Sequence, residues 1–226
     1  PEVTVAEPNP LEFAGPDLVA GELYSSVFLG VGVEFTLPRD LFLATSRAGV
    51  IVMIDGFDNG TYTPDTGLAL DLRRWAGWST RDEAALAEPT ASIAPDDIDG
   101  WIASNDIIVL DDTTREIAGR QTRVIAVTVD PLSTVQAATG FGGGCFPGWE
   151  PCFHMGATAS DDESSRVRGD WVSARRITRT YLVPIEGSEP LLITVGGPPG
   201  STWFDEIEST FIESLVIGPD RPPIGS

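Results

Sequence analysis

The chain has 226 residues, with 34 acidic side chains against 14 basic ones and a net charge of −20. Every basic residue is arginine, which excludes a Walker-type phosphate loop, Schiff-base chemistry and the standard kinase ion pair, all of which need lysine. Such a field repels nucleic-acid phosphates and anionic lipid surfaces, so neither is expected as a partner.

Hydrophobic residues make up 42%, near the globular norm, and the length suits a single core with tails. No apolar run reaches the 18 residues that a membrane-spanning helix needs. Residues 1–17, PEVTVAEPNPLEFAGPD, are acidic and proline-rich without periodicity, the composition of a tether. The chain opens on Pro1, and the expectation is a mature exported domain with its anchor upstream. Residues 1–29 are therefore read as tether and entry segment, 30–217 as a single domain and 218–226 as a proline-glycine tail.

Within the body, VGVEFTL alternates Val31, Val33, Phe35 and Leu37 on one strand face. The apolar run Ala48 to Ile54 and the alternating Leu68, Leu70 and Leu72 read as an antiparallel hairpin with a long loop. In APDDIDGWIASN, Pro95 and the acids Asp96, Asp97 and Asp99 suit a helix start, with Ile98, Trp101 and Ile102 at helical spacing. DIIVLDD and REIAGRQTRVIAVTVD follow as two strands meeting near Gly119 and Arg120. The segments 174–185 and 190–195 pair through the turn EGSE. In STWFDEIESTFIESLVIG, Ser201 or Thr202 caps a helix with the stripe Phe204, Ile207, Phe211 and Leu215, and SLVI closes the sheet as a last strand. Strands do not alternate regularly with helices, so the expectation is an α+β domain: one antiparallel sheet flanked by a few helices.

The chemistry-bearing residues gather in GFGGGCFPGWEPCFHMG, which holds both cysteines and the only histidine. Cys145 and Cys152 in an exported domain most simply form a disulfide, worth about 2.5 kcal/mol on the chain-entropy account. Zinc needs four ligands, and only Cys145, Cys152 and His154 are local. A Ser-His-Asp or Cys-His arrangement has to run through His154, yet no nucleophile elbow accompanies it. Asp55, Asp58, Asn59 and Asp65 form an oxygen-rich loop that fails the EF-hand pattern and is a weak calcium candidate. Arg175 and Arg179 fall on one strand face with Ile177 and Tyr181, where they either grip a carboxylate or phosphate or pair with surface acids. Trp75, Trp78 and Trp149 either line a groove for a sugar or apolar ligand or belong to the core.

The order EFTLP, DDIDGWIASN, EIAGRQTRVIAVTVD, a cysteine loop, TYLVPIEGSEPLLITV and WFDEIESTFIESLVIG resembles secreted or lipid-anchored actinobacterial proteins of PsbP-like fold over roughly residues 30–217. That resemblance implies an antiparallel sheet flanked by helices and an extracytoplasmic accessory domain. It supplies no catalytic residue. The resulting expectation is a non-enzymatic domain of the cell envelope or exterior, without a cofactor, that contacts a cell-surface protein or small ligand. Trp149, His154, Arg175 and Arg179 are its candidate binding residues. A hydrolase centred on His154 and a calcium-stabilised adhesion or structural module are the alternatives.

Overall fold

The computed structural model describes residues 7–11, 14–27, 29–47, 49–55, 57–58, 61–62, 67–84, 91–134, 151–159 and 171–218. In chain order the elements begin with β1 (Asn9–Pro10), β2 (Asp17–Leu18), β3 (Leu23–Ser26), β4 (Val33–Thr36), β5 (Leu41–Arg47) and β6 (Val50–Asp55). The minor pair β7 (Phe57–Asp58) and β8 (Thr61–Tyr62) precedes the long β9 (Leu68–Trp78), then α1 (Arg81–Ala84) and α2 (Ile98–Ser104). The hairpin β10 (Ile107–Ile117) and β11 (Arg120–Val129) leads to β12 (Cys152–His154), β13 (Gly156–Thr158) and β14 (Trp171–Ser173). Next come β15 (Ile177–Val183), β16 (Leu191–Gly197), α3 (Trp203–Glu206), a π-helical turn over Ile207–Ile212, and β17 (Val216–Ile217).

A nine-stranded sheet runs β10-β11-β15-β16-β9-β6-β5-β2, with β13 added to the far half of β9, and all its pairings are antiparallel. A second sheet, β1-β3-β4-β17, packs on one face of it. The core between them joins the alternating Val31, Val33, Phe35 and Leu37 to Leu70, Leu72, Ile193 and Val195 of the large sheet. Trp203, Phe204, Ile207 and Phe211 of the C-terminal helix complete this layer. The opposite face carries a second core built on Trp75, Trp78, Trp101, Phe153 and Met155.

The helix-flanked α+β architecture expected from the sequence, and implied by the PsbP-like resemblance, is not what this chain forms. Strand takes up 51% of the structure and helix only 14%. The helical segments are too short to blanket a nine-stranded sheet; α2 spans 7 residues and buries only Ile98 and Trp101. Much of the covering layer is a second sheet, because a strand with one apolar face buries it as well against another sheet as against a helix. β17 belongs to that second sheet, pairing Val216 and Ile217 with Glu34 and Val33, and so does not close the large one.

Two local departures have clear causes. Among the described residues of the entry segment, Leu11 and Leu18 are each 1% exposed, and β1 and β3 pair within the second sheet. α2 begins at Ile98, so Pro95 precedes the first turn rather than lying in it, and Asp97 caps the helix, its Oδ1 accepting from the Gly100 N–H at 2.8 Å.

Candidate functional site: an open sheet edge and the cluster behind it

Strand β10 forms because Ile107, Ile108, Val109, Thr113, Thr114 and Ile117 are β-branched, and because its hairpin turn is tight. Ala118 and Gly119 take φ of 48° and 74°, the pair of positive values of a type I′ turn between the closing residues Ile117 and Arg120. The closing pair of such a hairpin exchanges both of its hydrogen bonds, and the pattern then alternates. Asp112, Thr114 and Glu116 therefore aim their backbone N–H and C=O groups away from β11.

Of the described strands, β10 is the last on its side of the sheet. Among the described residues, no backbone bond outside the β11 ladder involves residues 108–116. Ile108, Val109 and Leu110 stand 41%, 38% and 50% exposed, three successive apolar side chains on the open edge. A register shift between Val109 and Asp111 marks Leu110 as a bulge. At the same end of the hairpin the Asp130 N–H donates to the Asp106 carbonyl at 2.9 Å, and Leu132 just beyond is 87% exposed. Contiguous exposed apolar surface on an unpaired strand is a feature that folded proteins normally suppress.

Behind this edge lies a cluster built around Glu208 of the π-helical turn. Its Oε1 accepts from the Tyr181 hydroxyl and from Arg115 Nη2, and from Arg179 Nη1 at 3.0 Å. Arg115 of β10 also lies over the Tyr181 ring, 5.5 Å from its centroid, and Arg179 lies over Phe204 at 5.2 Å. Burial, and then the Glu208 carboxylate, push the Tyr181 phenol well above its ordinary range. Burial alone lowers the Arg179 value, but Tyr181 and Glu208 outweigh it and hold the guanidinium above its usual range. A cleft of about 470 Å³ between the hairpin tip and the π-helical turn is lined by Arg115, Glu116, Ala118, Glu208, Ile212 and Glu213.

Among the described residues, the candidate binding residues His154, Arg175 and Arg179 sit in separate surroundings. Arg179 is committed to Glu208. Arg175 is exposed in the turn ahead of β15, with its N–H bonded to Ser173 Oγ at 3.2 Å, so the strand alternation begins only at Ile177. His154 is fully buried, paired with Trp171 in the β12–β14 ladder and packed on that ring with a centroid separation of 3.7 Å. Cys152 is also buried; Trp149 and Cys145 lie outside the described residues. Asp55 forms an ion pair with Arg39 at 3.2 Å, whereas the Asp58 side chain, Asn59 and Asp65 lie outside the described residues.

Trp75 and Trp78 are core residues, at 0% exposure, packed edge-to-face with centroids 4.9 Å apart. Trp78 in turn stacks on Trp101 of α2 at 4.7 Å.

Glu208 was not visible as a site residue in the sequence, where it falls on the polar side of an amphipathic helix. The available signal was Tyr181: a tyrosine inside a strand-core pattern needs a partner for its hydroxyl. No family model matches this chain, and no curated protein is similar to it in sequence.

Proposed function

We propose that this chain is a non-catalytic binding domain of the cell surface that holds another polypeptide along the open edge of β10. The carrying observation is the eleven-residue edge strand with Ile108, Val109 and Leu110 exposed and no backbone partner on its outer side among the described residues. An exposed sheet edge accepts an added strand through main-chain hydrogen bonds, and side chains on the edge strand select the sequence. The lysine-free, acidic composition supports an extracytoplasmic setting, where high net charge keeps a protein soluble. A Cys145–Cys152 disulfide belongs to the same reading.

The test places a photo-cross-linking amino acid at Val109, and separately at Val216 as an exposed control, in cells that make the protein. A discrete adduct from position 109 that is lost when Thr114→Pro is added supports the reading. Equal adducts from both positions, or an adduct indifferent to Thr114→Pro, contradict it.

A further inference from the structure

Resting on the strand-addition reading, we infer that the segment docking on β10 is an extended strand of another protein, apolar at one end and carrying lysine or arginine along the rest. Four charged residues stand on β10: Asp111, Asp112, Arg115 and Glu116. Arg115 is occupied by Glu208, and Asp112 by Arg123, whose Nη2 lies 2.7 Å from Asp112 Oδ2. Among the described residues, Asp111 and Glu116 make no ion pair or side-chain hydrogen bond.

The uncompensated charge on the edge is therefore purely negative. It lies next to Ile108, Val109 and Leu110, exposed at 41%, 38% and 50%. Alternation along the strand puts Asp111 and Glu116 on opposite sheet faces, so a partner strand meets one acid above the sheet and one below it. Cross-strand pairs of opposite charge stabilise, and like charges placed opposite one another destabilise.

A second copy of this chain is the poorer occupant. It brings a further net charge of −20 to an edge whose free charges are already acidic. A polypeptide with basic residues gains both the local pairs and the attraction of the whole field, which raises its association rate.

The probes are two fluorescein-labelled peptides of alternating valine and threonine, one flanked by lysines and the other by glutamates, measured by anisotropy on the full chain. The lysine peptide is expected to bind at least about tenfold more tightly at low salt, with the gap narrowing as sodium chloride is added. Asp111→Lys combined with Glu116→Lys should reverse the preference, and Thr114→Pro should abolish binding at unchanged melting temperature. Equal binding of both peptides overturns the basic-partner inference and leaves the edge reading standing. Binding that survives Thr114→Pro, or no binding of either peptide, overturns the edge reading together with the inference. A dimer in sedimentation that Thr114→Pro dissolves overturns the inference in favour of a second copy.

Discussion

Arg123 of β11 holds Asp112 of the edge strand by two bonds, Nε to Oδ1 at 3.1 Å and Nη2 to Oδ2 at 2.7 Å. The same Nη2 reaches Asp99 Oδ1 on α2 at 2.7 Å, so one guanidinium fastens the edge strand and a helix to the sheet. Hydrogen bonds to Asp112 and then Asp99 hold Arg123 above its ordinary range, and the Arg123 bond holds the Asp99 carboxyl below its own. Arg123→Ala is expected to lower stability in urea unfolding by about 1 kcal/mol, since these groups remain partly solvated. Arg123→Lys should recover only part of that loss, because an ammonium cannot make the forked contact. Full recovery by lysine would show that charge alone matters here.

The hairpin tip offers a gain. Ala118 adopts φ of 48°, the only positive value at a non-glycine residue among the described residues. A left-handed alanine costs about 1–2 kcal/mol, and Asn-Gly is the favoured pair for this turn type. Ala118→Asn should therefore stabilise the chain by about 1 kcal/mol, read as a rise in denaturation midpoint at constant slope. A loss would mean that the turn is not type I′ in solution.

Where β13 crosses β9 the backbones nearly touch. A Cβ built on Gly156 would lie 2.1 Å from the Gly77 carbonyl oxygen and 2.7 Å from the Trp75 ring. Neither can retreat, since Trp75 and Trp78 are fully buried on either side of Gly77. Gly156→Ala should cost on the order of 3 kcal/mol by overpacking. It should also alter the tryptophan near-ultraviolet circular dichroism, whereas a substitution at exposed Gly119 should not.

Stability should fall at both ends of the pH scale, for separate reasons. Hydrogen bonds from Arg39 and then Thr202 hold Glu206 below its ordinary value of 4.5, and a bond from Arg74 does the same for Glu189. A depressed folded-state value gives stability that is present above the unfolded value and is lost as pH falls through the folded one. The melting temperature should therefore drop below about pH 4.5, with a shallower slope in Arg39→Met. Tyr181 runs the other way: its raised value means stability present below the ordinary 10.0 and lost as pH rises beyond it. Tyr181→Phe should flatten that alkaline limb.

Much of the strand content was legible in the sequence. The alternation from Val31 to Leu37, the Leu68–Leu70–Leu72 face and the β15–β16 hairpin rest on period-two patterns that local burial enforces, and all three form. The second sheet was not legible. β1 and β17 are 2 residues each, too short to show a period, and their partners are fixed by long-range pairing. The stripe Phe204, Ile207, Phe211 and Leu215 is buried as its spacing demands. The π-helical turn within it leaves no mark in the pattern of residue types. The candidate site was missed for a related reason. Arg179 reads as an available anion binder until Glu208, distant in sequence, is folded against it. The open edge of β10 becomes visible only when the strand order shows that no described strand follows it.

The most direct measurement for the open-edge account is residue-resolved amide hydrogen exchange along β10, in the free chain and with the lysine-flanked peptide at saturation. The account predicts alternation in the free chain: Thr113 and Arg115 protected, and Asp112, Thr114 and Glu116 exchanging at least about 100-fold faster. The peptide should then protect those three outer amides. Outer amides already protected in the free chain, or left unprotected with the peptide bound, would contradict it.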